Sequence, residues 1–328
     1  MAPLPRKLQV EVTGSCNLRC RMCLVRYRPA IPKREGALAL EDYKALVDQL
    51  PGLEELILQG LGEPLLSPHL FEMIEFARAR GIEVGFNTNA TLLTRPKARR
   101  LVDLDVAWLA ISLDGASAAA YEDVRHGARY ERVRANVEGL LAERRDGRPH
   151  VKLVFVAMRR NVAELPALVE LADEWGVEEV SVQNLSHSFS DTDPAGGYAE
   201  IRAYAEREAL WNGAGSPEAE AAFAEARALA DRVGVTLRVP RLDEPARLRA
   251  PGDRGCEWPW DGAYVTHEGR VQPCCMVMGS DRATLGDLRT QRFTDVWNGE
   301  RYAEFRRRLT GADPPAVCAG CSAYRHVF

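Results

Sequence analysis

The chain has 328 residues and a formal net charge of −4, with 46% hydrophobic and 27% charged residues. This composition is typical of a globular enzyme and excludes a disordered or fibrous chain. The slight acidic excess disfavours nucleic acid as a partner, because nucleic-acid binders carry broad basic surfaces. No apolar run reaches the ~20 residues of a membrane span, and the N-terminus lacks the pattern of a secretory signal. We therefore expect a cytoplasmic protein with neither nucleic acid nor a membrane as partner.

Short strands alternate with amphipathic stretches over the first part of the chain. The predicted strands cover 7–12, 54–59, 82–87, 106–112, 151–157 and 178–184, and helical patterns cover 40–50, 68–80, 95–103, 130–145 and 163–175. Six strands that alternate with helices predict an α/β fold of parallel βαβ units, which either close toward a barrel or open as a doubly wound sheet. A site is expected at the carboxyl ends of the strands.

The pattern changes after residue 185. Two helices are predicted at 198–210 and 217–233, and from 251 the chain becomes rich in Gly, Pro and Cys, with one hairpin at 263–274 that turns at Glu268 and Gly269. We interpret 1–185 as the α/β core, 186–250 as a helical bridge and 251–328 as a small Cys-rich C-terminal module. A module with so little core usually needs a metal to stabilise it.

The eight cysteines fall into two groups, one at each end of the chain. Cys16, Cys20 and Cys23 form a C-x3-C-x2-C loop directly after the first predicted strand. Three thiolates on one loop can ligate three irons of a cubane and leave the fourth iron open. A structural zinc ion requires four ligands, so the loop fits zinc poorly.

This spacing resembles the radical S-adenosylmethionine (radical SAM) superfamily, whose fold is a partial (β/α)6 TIM-type barrel. The resemblance implies that these cysteines hold a [4Fe–4S] cluster whose open iron chelates SAM. Reductive cleavage of SAM then yields a 5′-deoxyadenosyl radical. A flavodoxin- or ferredoxin-type protein is the expected reductant.

Further segments match the family's SAM-binding motifs. Leu61 replaces a glycine of the family's glycine-rich GGEP motif, and Met22 takes a position that is usually aromatic. The residues expected to bind SAM are Met22, Gly60, Gly62, Glu63, Pro64, Asn89, Ser112, Asp114, Arg125 and Leu185. From the residues alone, Asp114 and Gly115 equally predict an ordinary turn before a helix, and Arg125 can be a residue of a helix surface.

The second cysteine group resembles the SPASM/twitch modules that carry auxiliary clusters in this superfamily. Its expected ligands are Cys256, Cys274, Cys318 and Cys321, with 17 residues between the first two and a C-x2-C pair at the end. Four thiolates suffice for one auxiliary [4Fe–4S] cluster, as in the twitch form, or for one zinc ion. The neighbouring Cys275 is surplus to this count but could replace Cys274.

The resemblance predicts an enzyme that abstracts a substrate hydrogen and, with help from the auxiliary cluster, oxidises a small metabolite such as a sugar or aminocyclitol alcohol. Two alternatives remain open. One is a maturase that modifies a ribosomally made peptide, and the other is a non-catalytic metal-binding scaffold. His126 and His187 are candidate proton-transfer residues, because the unperturbed pKa of histidine lies near neutrality. Neither is distinguished by the sequence from a structural histidine.

Overall fold

A single ten-stranded sheet organises the parts of the chain that the computed structural model describes, residues 2–31, 35–210, 217–240 and 256–325. The strands are β1 (Lys7–Val10), β2 (Glu55–Ile57), β3 (Glu83–Thr88), β4 (Trp108–Ser112), β5 (His150–Ala157), β6 (Glu179–Asn184), β7 (Thr236–Arg238), β8 (Gly262–Val265), β9 (Arg270–Gln272) and β10 (Gly286–Asp287). Their order across the sheet is β10-β9-β8-β1-β2-β3-β4-β5-β6-β7. Strands β1 to β8 pair in parallel, and β9 and β10 are antiparallel.

Helices follow most of the strands. They are α1 (Leu40–Val47), α2 (Leu70–Arg78), α3 (Arg95–Asp103), α4 (Ala118–Val124), α5 (Tyr130–Glu143), α6 (Leu165–Glu174), α7 (Ala199–Glu208), α8 (Pro217–Val233), α9 (Trp258–Asp261), α10 (Phe293–Trp297), α11 (Glu300–Thr310) and α12 (Ala316–Ala319). The mixed α/β architecture with a parallel sheet confirms the predicted fold class, a partial barrel joined to a Cys-rich C-terminal region.

The two faces of the strands differ in polarity. On β1, Leu8 and Val10 are fully buried in the hydrophobic core, whereas Lys7 and Gln9 line a cavity on the other face. On β3, likewise, Phe86 is buried in the core and Asn87 lines the cavity. Because side chains alternate along a strand, this pattern places the core between sheet and helices and leaves a polar concave face.

The C-terminal module continues the sheet of the barrel. Strand β8 pairs in parallel with β1, with Gln9 opposite Tyr264 and Val10 opposite Val265. This pairing satisfies the backbone groups of β1, which would otherwise form an open edge of the barrel sheet. The predicted hairpin is present as β8 and β9, and Gly269 in its turn has a φ of +78°.

The segment after β6 contains more than the two predicted helices. Helices α7 and α8 match the prediction, but β7 adds a strand that pairs in parallel with β6. Residues 211–216 and 241–255 of the expected bridge and module lie outside the described residues. Within the described ranges, no helix combines the length and apolar character needed to span a bilayer.

Candidate functional site

The three N-terminal cysteines lie on the loop that leaves β1. Cys20 is buried and Cys16 and Cys23 are half-buried. The Cys16 Sγ accepts a 3.5 Å hydrogen bond from the Leu18 amide, and an Arg125 amino group lies 3.9 Å from the Cys20 Sγ. These contacts bring donors, one of them cationic, to a cluster of sulfur atoms, as an anionic ligand set requires.

Burial raises the pKa of all three thiols. The pKa of Cys16 rises to about 11 and that of Cys23 to about 12, chiefly because burial disfavours the thiolate, with a contribution from the charges of neighbouring cysteines. Each thiol lies within electrostatic reach of another, so the three converge on one volume. Three converging thiols with little solvent fit a cluster that replaces their protons with iron.

The glycine-rich loop after β2 packs tightly against the cysteine loop. A Cβ atom on Gly62 would lie 2.1 Å from the Thr13 carbonyl oxygen, and one on Gly60 would lie 2.3 Å from the Glu11 side chain. The Glu63 amide donates a 2.9 Å hydrogen bond to the Ser15 carbonyl. Only glycine permits this close approach of the two loops.

Glu63 is a buried carboxylate that organises the end of β3. It accepts hydrogen bonds from the Thr88 hydroxyl at 2.6 Å and from the amides of Asn89 at 2.8 Å and Leu65 at 3.2 Å. Burial raises the pKa of Glu63 despite these donors. The Asn89 side chain in turn donates to Asn17 in the cysteine loop at 3.1 Å. Glu63 and Asn89 therefore lie beside the three cysteines.

Asp114 and Arg125 form a buried ion pair next to Cys20. The Asp114 carboxylate also accepts a 2.8 Å hydrogen bond from the Val156 amide, so both of its oxygens have partners. Burial alone would lower the pKa of the Arg125 guanidinium, but the Asp114 charge raises it above its usual value. Arg125 is thus a fixed cation at the cluster loop and not a residue of a solvated helix surface.

The remaining expected SAM-binding residues take different positions. Met22 and Leu185 line the polar concave cavity together with Gly60. Ser112 ends β4 and is partly exposed, and Pro64 is buried at the start of a short 3-10 turn. The structure thus brings Met22, Gly60 and Leu185 to one cavity.

The five C-terminal cysteines also converge. Burial raises the pKa of Cys274, and so, to a smaller degree, do the charges of Cys275, Cys321, Cys318 and Cys256. A cubane distributes four thiolates over its separate irons. The donor set fits an iron–sulfur cluster.

Cys275 differs from Cys274 in its surroundings. It lines the polar cavity together with Met276 and Met278, and its thiol contacts the Gln9 side chain of β1. Cys274 lies within electrostatic reach of all four other thiols of the group, and Cys275 lies within reach of Cys274, Cys321 and Cys256. Cys274 remains the expected ligand, and Cys275 lies in the cavity wall.

A buried charged cluster at the end of β1 was missed in the sequence. The Glu11 carboxylate is fully buried and accepts hydrogen bonds from the Tyr264 hydroxyl at 2.6 Å, the His267 Nδ1 at 2.7 Å and the Leu61 amide at 2.9 Å. It joins the first strand, the glycine-rich loop and the C-terminal module. The alternation of residues 7–12 puts Glu11 on the same face as Gln9, and this signal could have identified an inward-facing carboxylate.

Neither candidate histidine lines the cavity. His126 is exposed beside the cysteine loop, where its carbonyl accepts a hydrogen bond from the Arg19 amide. His187 is buried, with Nε2 2.6 Å from the Val317 carbonyl and Nδ1 accepting a 2.7 Å hydrogen bond from the Phe189 amide. Burial and the nearby Arg282 charge lower the pKa of His187 to about 4. His187 is therefore an uncharged residue whose hydrogen bonds stabilise the chain next to the Cys318–Cys321 segment.

The cavity has a volume of about 660 Å³, and both polar and apolar side chains line it from the concave face of the strands to the C-terminal module. Five residues with side-chain amides line its strand-side wall: Gln9, Gln59, Asn87, Gln183 and Asn184. Gly60 and Leu61 of the glycine-rich loop lie on the wall, as do Tyr264 and Cys275 of the module. Both cysteine-containing segments therefore contribute to the cavity wall, the N-terminal loop through Met22 and the C-terminal group through Cys275.

Comparisons with known proteins match this geometry. Residues 10–180 match the Radical SAM superfamily, and residues 256–322 match SPASM, an iron-sulfur cluster-binding domain. The AdoMet-dependent heme synthase of Methanosarcina barkeri is 29% identical over 98% of this chain and 93% of its own length. Mycofactocin maturase MftC of Mycobacterium tuberculosis is 33% identical, but the match covers 52% of this chain and 43% of that protein.

Among solved structures, Streptococcus suis SuiB bound to precursor peptide SuiA has a similar fold, with a TM-score of 0.71 and 14% identity over 98% of this chain and 71% of SuiB. The family matches imply a [4Fe–4S] cluster with SAM in the barrel and an auxiliary iron–sulfur cluster in the C-terminal region. The chain therefore belongs to the radical SAM superfamily and is a radical SAM enzyme with a C-terminal SPASM domain.

Proposed function

We propose that this enzyme oxidises a small, polyhydroxylated metabolite, of the sugar or aminocyclitol class, at a carbon that bears a hydroxyl group. The observation that carries the proposal is the amide-rich wall of the cavity. When bound, SAM and the two clusters supply a hydrogen-abstracting 5′-deoxyadenosyl radical and an acceptor for the second electron. The reductant that starts the reaction is a flavodoxin- or ferredoxin-type protein.

The composition of the wall supports a hydroxylated substrate. A side-chain amide offers both donors and an acceptor, as a hydroxyl group requires of its partners. Of the cations that line the cavity, Lys7 is paired with Glu55 at 2.6 Å, and Lys152 lies 5.2 Å from the Trp108 ring centroid. A polycarboxylate would need more free cations than this wall provides. The volume of about 660 Å³ lies in the usual range for small-molecule sites.

Three of the expected SAM-binding residues, Met22, Gly60 and Leu185, line the same cavity. Cys16, Cys20 and Cys23 would hold the catalytic cluster. Gly60 leaves space for the SAM backbone, and Met22 and Leu185 offer apolar surface for adenine. We propose the same ligand role for Glu63, Asn89 and Ser112, and an orienting role for the Asp114–Arg125 pair. Pro64 would fix the exit of the glycine-rich loop.

Oxidation of an alcohol also releases a proton, and the cavity wall contains a group that can accept it. The Tyr264 hydroxyl lines the cavity and donates a hydrogen bond to the Glu11 carboxylate. As Tyr264 takes the substrate proton, it can pass its own to Glu11. We therefore assign this pair the proton-transfer role that the two histidines do not fill.

The second candidate function is modification of a ribosomally made peptide. It is favoured by the likeness of the fold to SuiB bound to its precursor peptide. The heme synthase matches nearly this whole chain and nearly its own whole length, so full-length similarity by itself is no argument for a peptide substrate. The side-chain amides on the cavity wall favour the small metabolite.

The test is formation of 5′-deoxyadenosine by anaerobically reconstituted enzyme reduced with dithionite. Panels of aminocyclitols and sugar alcohols, of porphyrin carboxylates and of short peptides are compared, each with deuterium at candidate carbons. We expect deuterium in 5′-deoxyadenosine and a ketone product with the first panel only. Transfer from a peptide would support the second function. Cys16→Ala is the negative control. If the wild-type enzyme never cleaved SAM, only the non-catalytic metal-binding scaffold would remain as a function.

A further inference from the structure

Exposed arginines surround the loop that holds the catalytic cysteines. Arg19 precedes Cys20, and Arg26 follows Cys23 by three residues; both arginines are exposed. The loop is held by backbone hydrogen bonds from the amide of Arg19 to the His126 carbonyl and from that of Arg21 to the Val124 carbonyl, each 3.0 Å long. The arginine side chains therefore extend from a backbone of fixed position directly at the ligand loop.

A groove of about 330 Å³ continues this surface toward α7. Tyr27 and Tyr204 line it together with four arginines and one carboxylate, namely Arg21, Arg26, Arg160, Arg207 and Glu200. The guanidinium carbons of Arg160 and Arg207 lie 5.7 and 5.8 Å from the Tyr204 ring centroid. Tyrosine and arginine are the residues most enriched where protein interfaces gain their binding energy. We name Arg19, Arg26, Arg160, Arg207, Tyr27 and Tyr204 the arginine rim.

The rim and its groove carry an excess of positive charge, because five arginines (Arg19, Arg21, Arg26, Arg160 and Arg207) outnumber three carboxylates (Asp123, Glu200 and Glu208). Asp123 pairs with Arg160 at 2.8 Å, and Glu208 pairs with the same arginine at 2.6 Å. Arg19, Arg26 and Arg207 have no carboxylate at ion-pair distance within the described part of the chain. The whole chain has a net charge of −4, so this positive surface is a local feature and not a consequence of overall composition.

We propose that the arginine rim is the docking surface for a small acidic electron-transfer protein that reduces the catalytic cluster. The inference rests on the proposed function, because only a reductive reaction requires such a partner. Charge complementarity identifies the partner. A protein with carboxylates around its redox group would be steered to this rim, and its carboxylates could form bidentate hydrogen bonds with the arginines of the rim. Docking here leaves one loop between the partner and the cysteine sulfurs, and electron transfer slows steeply with distance.

The test compares two electron sources in one enzyme. The variant Arg19→Gln/Arg26→Gln/Arg207→Gln removes the uncompensated charges, and Arg132→Gln, an exposed arginine on α5, is the matched control. Formation of 5′-deoxyadenosine is measured with reduced flavodoxin and, separately, with dithionite, which needs no docking surface. Iron and sulfide content and the EPR spectrum of the reduced clusters verify that the variants are loaded equally.

We expect flavodoxin-driven turnover of the triple variant to fall by about tenfold or more at low salt, since electrostatic steering changes association rates by at least that factor. Dithionite-driven turnover and the control variant should be unchanged. The difference in flavodoxin-driven turnover between the wild type and the triple variant should disappear at high salt, because salt screens the charges of the rim. An equal loss with both reductants would overturn the proposal, because the arginines would then support the cluster loop itself.

Direct binding separates this inference from the proposed function. The affinity of oxidised flavodoxin for the loaded enzyme is measured by calorimetry at two salt concentrations, without any turnover. A weaker affinity in the triple variant supports the docking surface even where no SAM is cleaved. Unchanged affinity and unchanged flavodoxin-driven turnover would overturn it, as would a rim that binds single-stranded nucleic acid but not flavodoxin.

Discussion

The Tyr264 hydroxyl of the C-terminal module donates a 2.6 Å hydrogen bond to the fully buried carboxylate of Glu11, a residue 253 positions earlier in the chain. The same carboxylate accepts a hydrogen bond from the Leu61 amide of the glycine-rich loop. One side chain thereby connects the first strand, the glycine-rich loop and the C-terminal module. The position of the cavity wall depends on this contact.

Glu11→Gln and Tyr264→Phe should both impair product formation. Gln cannot accept a proton and Phe has no hydroxyl to relay one, so we expect turnover to fall by about 10² or more, the usual worth of a positioned proton acceptor. Turnover is measured as the rate of ketone formation across a range of pH, and 5′-deoxyadenosine is measured in the same samples.

Tyr302→Phe is the matched control, because Tyr302 is a buried tyrosine of the same module whose hydroxyl lies 3.4 Å from the Gly262 carbonyl. Its turnover should stay near that of the wild type. If the Tyr264 and Tyr302 variants lost activity equally, hydroxyl removal would act through packing and the proton role would fail.

Gly62→Ala should disrupt the contact between the two loops. The added Cβ would lie 2.1 Å from the Thr13 carbonyl oxygen, so the backbone must move, at a cost of about 1–3 kcal/mol typical of overpacking. We expect a lower thermal midpoint and weaker SAM binding, seen as loss of the SAM-induced change in the cluster EPR spectrum. Gly52→Ala, where the Cβ meets nothing within 4 Å, should change neither.

Replacing each of the two adjacent cysteines of the module by Ala should have different effects. Cys274→Ala should reduce iron from about eight to about four per chain, because it removes a ligand of one of two cubanes. Cys275→Ala should keep the iron and instead change the KM for substrate, since Cys275 lines the cavity. Iron analysis and Mössbauer spectra decide the assignment, and the reverse result would make Cys275 the ligand.

His187 should make stability depend on pH. Its pKa is about 4 in the folded chain, lowered by burial and by Arg282, against ~6.5 when unfolded. The unfolded state therefore binds a proton first as pH falls, and stability present above pH ~6.5 is lost progressively between ~6.5 and ~4. At pH 5.5 the expected loss is about 1 kcal/mol.

Urea unfolding of the wild type and of His187→Asn at pH 7.5 and 5.5 checks this expectation. Asn can still accept the Phe189 amide hydrogen bond but does not titrate. The difference in the free energy of unfolding between pH 7.5 and pH 5.5 should be smaller in the variant than in the wild type. If the free energy of unfolding changed equally with pH in both proteins, another group would be titrating in this range.

Local patterns in the sequence determined much of this protein. The alternation of apolar residues predicted the six strands of the barrel, because a strand with one buried face requires a period of two. The C-x3-C-x2-C spacing and the glycines before Glu63 are short-range features, so their resemblance to the radical SAM superfamily indicated the family without knowledge of the fold. Sequence alone also separated the two cysteine groups.

The tertiary structure decided which distant residues meet. No local pattern records that β8 pairs with β1, and that pairing sets Tyr264 beside Glu11 and Cys275 against Gln9. His187 had the residue type of a proton acceptor, but burial among Val317, Phe189 and Arg282 made it structural. Strand pairing and burial arise from contacts between segments far apart in the chain, and for that reason only the folded molecule specifies them.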